Sequence, residues 1–316
     1  MINQCEEDWK TKWFEFILDN EKDLNWKALS ENPNITFETV LKYPNKKWDW
    51  GSLSKNPNIT LDIILAHPDK PWFYPFISLN PNITVETLKK YPNFEWNISF
   101  LSYNKSITID YVLSNLDKNW DWAGLSSNPS LTFDIVLNNP DKKWHWLSIS
   151  CNPCVTFDII IKYPKLPWNW QGISANKNIT WDIVSNNLEK PWNWSHLSKN
   201  PNITYEIVMS NMSKPWDWLI LSKNPNITED IILKNKHNTW LRYYISHNPN
   251  LTPDMVKANI SKTWNWYAIS CNSMYLGKKK YIKNRIIQKR YKTMLPKICL
   301  KYRLSFELEN FIYLFL

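Results

Sequence analysis

Trp48-Asp49-Trp50-Gly51-Ser52-Leu53-Ser54-Lys55-Asn56-Pro57-Asn58-Ile59-Thr60-Leu61-Asp62-Ile63-Ile64-Leu65 decides the fold, because its slots recur every 24 residues without insertion or deletion. Thr36, Thr60 and their successors run to Thr252, and an Asn row runs in register from Asn32 to Asn272. A fixed period of this size means one small supersecondary unit stacked on copies of itself. Each copy holds two helix starts. The first is at Asp49, a slot filled by Asn or Asp at positions 25, 97, 121, 169, 193, 217 and 265 as well. A side-chain oxygen there accepts from the free N–H groups of the first turn. Trp48 and Leu53 stand at the spacing of a hydrophobic staple around it. The second start is at Thr60, and the residue two after the Thr is acidic in every copy, from Glu38 to Asp254. A carboxylate in the first turn is favoured by the helix dipole.

Asn-Pro separates the two helices, because a residue before proline is pushed out of the α region. Helices this short are unstable alone in water. Stacking must supply the rest, and the rows of indole are the expected glue. The sequence therefore predicts an all-α fold, an α-solenoid rod of about ten two-helix repeats. The expected organisation is an N-terminal capping helix over 1–23, the helical repeat solenoid over 24–272 and a basic C-terminal tail over 273–316. The motif stops in mid-copy at that end: Leu276 stands where Thr is due and Lys278 where an acid is due.

Trp is several times more frequent than usual, at 21 residues, and Gly nearly absent, at four. Scarce glycine argues against phosphate-cradling loops and hairpin-rich β architecture. The net charge of +9 is local. Residues 277–316 carry 11 Lys and Arg against Glu307 and Glu309, which leaves residues 1–276 with as many acids as bases. Arguments from a basic protein thus apply to the tail only. The N-terminal stretch has no apolar signal core and no run is long enough to span a membrane, so a soluble, non-secreted chain is expected. Five cysteines in unrelated contexts fit a reducing compartment.

Trp-Asp-Trp followed by Leu-Ser-x-Asn-Pro-Asn-Ile-Thr and an acid two residues on resembles the 24-residue repeat proteins of giant DNA viruses of the mimivirus type, over about residues 24–272. That resemblance implies an intracellular setting, in the host cytoplasm during infection, and viral or host proteins as partners. The family has no assigned activity, so no mechanism comes with it.

Candidate chemistry is sparse. The acidic row should be spaced by about one helix-packing distance, ~10 Å, which suits no proton-sharing dyad. It reads as helix-start electrostatics. The Trp row from Trp48 to Trp264 could stack bases or glycans, but its staple position favours core. The second Trp slot (Trp50, Trp122, Trp146, Trp170, Trp194, Trp218) tolerates Tyr74, Ile98 and Arg242, and reads as packing first and a surface stripe second. Lys46, Lys70, Lys118, Lys142, Lys190, Lys214 and Lys262 form a linker row that reads as a solvated loop rather than a phosphate-binding track. Cys151-Asn152-Pro153-Cys154 lacks the second pair or the His that a metal or redox site needs. The Asn-Ile-Thr sequons arise from capping chemistry. No catalytic, cofactor-binding or metal constellation emerges.

Two surfaces remain. Variable slots in a fixed frame are what a readable interface needs: Ser195, His196, Leu219, Ile220, Tyr243 and Tyr244 after the second Trp, and Leu79, Tyr103, Lys199, Lys223 and His247 after the Ser. They predict a non-enzymatic protein-interaction scaffold of unknown partner. The alternative is a nucleic-acid- or anionic-surface-associated protein acting through the tail, where Lys278, Lys279, Lys280, Lys283, Arg285, Lys289, Arg290 and Lys292 can form a basic helix with Ile282, Ile286 and Ile287 on one side. The same helix could instead cap the repeats, or be degenerate sequence.

Overall fold

The computed structural model describes residues 2–234, 245–258 and 264–302, and every regular element among them is helical. The chain forms two compact units, residues 25–248 with 263–273, and residues 1–24 with 249–262 and 274–316.

The larger unit is the α-solenoid. Its first helices run from Trp26–Ser30 through Trp50–Ser54 and Trp170–Ala175 to Trp266–Cys271. Its second helices include Phe37–Lys42, Leu61–Ala66 and Tyr205–Ser210. The caps act as their residue types require. Asn25, Asp49, Asn97, Asp121, Asn169, Asn193, Asp217 and Asn265 each accept a backbone N–H from the first turn. Phe73 and His145, which break the Asn/Asp pattern, make no such bond. Thr36, Thr60, Thr84, Thr108, Thr180 and Thr204 cap the second helices. Thr132 and Thr156 hold the extended backbone of a cap without the side-chain bond.

Most of the indole row is internal, with Trp96, Trp168 and Trp264 half-buried and Trp240 outside the described residues. Trp48, Trp72, Trp120, Trp144, Trp192 and Trp216 are buried, and each donates its Nε1–H to the carbonyl five residues earlier, as Trp48 does to Tyr43 O at 2.9 Å. All of these but Trp120, where the preceding slot holds Ile98, also meet edge-on the second Trp of the copy before: Trp26 with Trp48 at 5.0 Å, Trp50 with Trp72 at 4.9 Å, Trp194 with Trp216 at 5.1 Å. Such pairs are worth about 0.5–1.5 kcal/mol beyond their area. The second Trp slot is accordingly half-buried against its neighbour rather than a free stripe.

A polar clamp joins the copies alongside the indoles. Asn56 Nδ2 donates to Ser30 O (2.8 Å) and Asn32 O (3.1 Å) of the preceding copy, while its Oδ1 accepts from Asn58 N (2.8 Å). Ser30 Oγ donates to Trp26 O (2.8 Å) and accepts from Asp49 N (2.9 Å). The same bonds recur at Asn80, Asn104, Asn152, Asn176, Asn200, Asn224, Asn248 and Asn272. These carboxamides are nearly inaccessible to solvent, and burial is tolerable only because their polar atoms are partnered.

The clamp also joins the last copy to the first. Asn32 Nδ2 donates to Ser270 O (2.8 Å) and Asn272 O (3.1 Å), Asn25 N donates to Ser270 Oγ (3.0 Å), and Asn34 Nδ2 donates to Ser273 O (3.0 Å). These match the bonds that Asn56 and most of its successors make with the preceding copy; Asn128 departs from them, its Nδ2 donating to Ile107 O at 2.7 Å. The repeat unit is therefore a closed ring of eleven Asn positions, from Asn32 to Asn272 and back, where the sequence had suggested a rod with two ends. Several successive first helices pack closely, among them Trp146–Cys151 against Trp170–Ala175 and Trp26–Ser30 against Trp266–Cys271. No successive pair of second helices among the described residues packs as extensively. The first helices thus form the inner circumference of the ring.

The smaller unit brings together segments far apart in sequence, the N-terminal helix and the helix that begins at Tyr275. Helix Ile2–Asp19 buries Cys5, Trp9, Trp13, Phe16 and Ile17, a single helical stripe, and packs on helix Tyr275–Tyr302, with Trp9 and Tyr281 ring centroids 5.4 Å apart. Lys12 pairs with Asp254 (2.7 Å) and Lys257 with Asp19 (2.8 Å). Where the repeat motif breaks, Met274 takes a positive φ of 51° and its carbonyl accepts from Lys278 N at 2.7 Å, starting the long helix.

Candidate partner-binding surface

In each first helix the residue after the second Trp and the residue four later share one face. Leu29, Leu53 and Leu197 point the other way, into the core. Lys27 with Glu31, Leu147 with Cys151, Ser195 with Lys199, Leu219 with Lys223, and Tyr267 with Cys271 are such pairs, and all are exposed or half-exposed. Because the first helices form the inner circumference, these slots make one concave wall.

Burial raises the Cys151 and Cys271 thiols, with Lys199 two copies away partly offsetting it for Cys151 and the Tyr267 hydroxyl for Cys271, and Cys271 in turn raises Tyr267. Burial lowers the Lys223 pKa, and the neighbouring Lys199 charge lowers it further, against a smaller opposing effect of Asp217. In the same slot elsewhere, Lys55 reaches back to Glu31 at 2.8 Å, and Ser52 Oγ donates to the same Glu31 oxygen at 3.0 Å. Tyr103 donates its hydroxyl to Asp121 Oδ2 (2.9 Å), which raises its pKa, and its ring covers Gly124, where a Cβ would come within 2.9 Å of it.

Of the residues singled out in sequence, Leu79, Tyr103, Ser195, Lys199, Leu219, Lys223 and His247 stand in these slots, while His196 and Ile220, one residue on, lie about 100° round the helix. Leu79, Ser195, His196, Leu219, Ile220 and Lys223 are half-exposed, and Tyr103, Lys199 and His247 are exposed. His196 is held by Asn193 Oδ1 at 2.8 Å. Tyr243 and Tyr244 lie outside the described residues, as does Lys262 of the linker row. Sequence reasoning missed that Phe76 and Phe100 occupy the same slots and, with Phe73, form an aromatic arc: Phe73 to Phe76 at 4.7 Å, Phe76 to Phe100 at 5.6 Å, with Lys55 Nζ 5.0 Å from the Phe76 ring centre. The slot rule already in hand would have found them.

The other candidates fall where simple chemistry puts them. Glu86 and Glu206 have lowered pKa values because they accept a backbone N–H at the helix start, helped by Thr84 and Thr204. Lys70, Lys142 and Lys190 of the linker row pair with the acid beside each in sequence. Cys151 and Cys154 are free thiols, and burial pushes Cys154 up to about 11. Such a thiol is a poor nucleophile at neutral pH. No cluster of three His, Cys, Asp or Glu able to hold a metal exists among the described residues.

On helix Tyr275–Tyr302, Lys279, Lys280, Lys283 and Arg290 are exposed, and Lys278, Arg285 and Lys289 are half-buried. Arg285 and Lys289 approach Asp8 at 3.8 and 3.7 Å, so part of the basic set is spent inside its own unit. Nothing is described for the Lys292 side chain. No described helix is long and apolar enough to cross a membrane. No protein-family model, characterised protein or solved structure matches this chain.

Proposed function

We propose that the chain is a non-enzymatic protein-interaction scaffold whose partner binds the inner wall of the repeat ring. One observation carries this reading: a frame repeated nearly without change presents side chains that differ from copy to copy, all on one concave face. Tyr103, Lys199 and His247 are exposed there, beside apolar Leu79, Leu147 and Leu219. A surface mixing apolar anchors with unlike charges suits a specific protein rather than a repetitive polymer. The resemblance to giant-virus repeat proteins makes a viral or host protein inside the infected cell the expected partner.

The reading is tested by capture from cell extract with the full chain and with a variant carrying Leu79→Ser, Tyr103→Ser and Leu219→Ser. Capture of a defined protein by the parent and its loss in the variant supports the wall. Equal capture by both refutes it.

A second reading, contact with nucleic acid or an anionic surface, is favoured by the exposed Lys279, Lys280, Lys283 and Arg290 on one helix. Binding of this kind weakens steeply between 50 and 200 mM salt, at about those concentrations used to reveal counterion release, and disappears with K279Q/K280Q/K283Q.

A further inference from the structure

We propose that the edge of the repeat ring that carries the linkers is a docking face for an anionic lipid bilayer. It is a different surface from the inner wall and from helix Tyr275–Tyr302, and it does not depend on what the wall holds.

The two helices of a copy run antiparallel about the tight turn at the Asn row, so one edge of the ring gathers the turns and the other the linkers. Charge divides between these edges. The last turn of the second helix and the linker after it, residues 41–47 and the seven later copies to 209–215, hold 13 Lys against five acids. The turn and the helix start that follows it, residues 31–38 and the seven later copies to 199–206, hold four Lys against nine acids. The balanced charge of residues 1–276 thus conceals a ring with one cationic edge and one acidic edge.

Apolar exposure follows the same division. Leu41, Leu65, Ile161 and Met209 fill one slot at the end of the second helix, and Leu116, Leu188 and Met212 another, three residues on. These side chains are between 43% and 54% exposed. The acidic edge exposes no aliphatic side chain of that size among the described residues. Every copy turns about the same axis, so each slot lies at one height and the row shares a plane. Tyrosines stand beside it: Lys42, Lys90 and Lys162 lie 5.5, 5.0 and 5.2 Å from the ring centres of Tyr43, Tyr91 and Tyr163. A cleft of about 490 Å³ between Ile161, Pro164, Trp168, Trp170 and Lys190 sets the same two chemistries, apolar and cationic, side by side. Tyrosine and lysine settle at the headgroup level of a bilayer, while aliphatic side chains enter the acyl boundary.

Other occupants meet this edge less well. Two linker edges face to face oppose like charges. A linker edge on an acidic edge matches charge but leaves the aliphatic row against polar turns. Nucleic acid matches the lysines and gains little from leucine, isoleucine and methionine, since its bases stack on aromatic rings. An anionic bilayer meets both demands and repels the acidic edge, which fixes the side of the ring that faces it. The two edges stand about one six-residue helix apart, ~9 Å, close to the Debye length of ~10 Å at 0.1 M salt, so the lysines feel the surface more than the acids do.

The test is co-sedimentation of the full chain with phosphatidylcholine vesicles, with and without phosphatidylserine at about 30%. Binding to the anionic vesicles and not to the neutral ones is expected. K47Q/K143Q/K165Q removes three linker charges and should weaken it roughly 100-fold, at about fivefold per lysine near a charged surface. L41S/I161S/M209S should weaken it roughly tenfold through lost apolar insertion. K279Q/K280Q/K283Q and the wall variant Leu79→Ser, Tyr103→Ser, Leu219→Ser should bind as the parent does. Unchanged melting temperatures establish that the variants remain folded. The proposal is overturned if the parent ignores anionic vesicles or binds neutral ones equally well, if binding is lost with the C-terminal helix variant, or if either edge variant binds as the parent does. Self-association of the parent in sedimentation velocity, abolished by L41S/I161S/M209S and with no vesicle binding, would instead make the edge a contact between copies of the chain.

Discussion

Closure of the ring can be measured with a matched pair of substitutions, Asn32→Ala and Asn200→Ala. Asn200 lies in mid-sequence. Its Nδ2 donates to Ser174 O (2.9 Å) and Asn176 O (3.0 Å), and its Oδ1 accepts from Asn202 N (2.9 Å). Asn32 is in the first copy, and its bonds to Ser270 O (2.8 Å), Asn272 O (3.1 Å) and from Asn34 N (3.0 Å) are the same set. Both side chains are 1% exposed. Alanine removes three hydrogen bonds and leaves two buried carbonyls and one amide to find other partners. At about 1 kcal/mol net per bond, rising where a buried group stays orphaned, each substitution should cost roughly 3–5 kcal/mol. If the first copy instead ended a rod, Asn32 would donate to water and its loss would cost only about ±0.5 kcal/mol, as for other surface sites. Urea unfolding followed by tryptophan fluorescence and circular dichroism gives both values. Equal costs support closure. A near-neutral Asn32→Ala beside a costly Asn200→Ala refutes it.

Other consequences are local. Gly172→Ala should destabilise by about 1–3 kcal/mol, because its Cβ would lie 2.5 Å from Leu147 O, whereas Gly51→Ala, with nothing nearer than 3.4 Å, should be neutral or stabilising by up to ~1 kcal/mol; thermal melts compare them. Thr204→Ala should cost about 1 kcal/mol, since Thr204 Oγ1 accepts from Ile207 N at 3.3 Å, while Thr132→Ala, at a cap without that bond, should cost a few tenths. Cys154, pushed up to about 11, should alkylate slowly at pH 8.5 and accelerate as pH nears its folded value. The sign of its stability effect follows: the unfolded thiol ionises first, so the contribution is intact below about pH 9 and lost as pH rises from there toward 11. Comparing Cys154→Ser with the parent across that window isolates the effect.

The helices and their caps were legible because they follow from bonds within about four residues. Asp49, Thr60 and Pro57 each act on their own turn, and the structure shows those turns. The Trp48 row was legible as core for a similar reason, since a staple is local. The Asn row was visible as a pattern but not as a clamp, because Asn56 works on the carbonyls of Ser30 and Asn32, 26 and 24 residues away. Closure was beyond reach altogether. It depends on a rotation of roughly 33° per copy, a circle divided by eleven, and an error of a few degrees in each would accumulate into a helix. The variable slots of the wall could be named from sequence, yet their shared concave face follows from that same rotation. The C-terminal helix was foreseen as basic. Its partner Asp8 was not, since nothing local ties residue 8 to Arg285.

Open arrays of repeats gain and lose members freely, since a duplicated copy merely lengthens the stack. Here Asn32 must find Ser270 and Asn272. One copy more or fewer would leave a wedge at the junction that no single side chain spans, so the geometry itself holds the number of copies, much as a keystone fixes the count of stones in an arch.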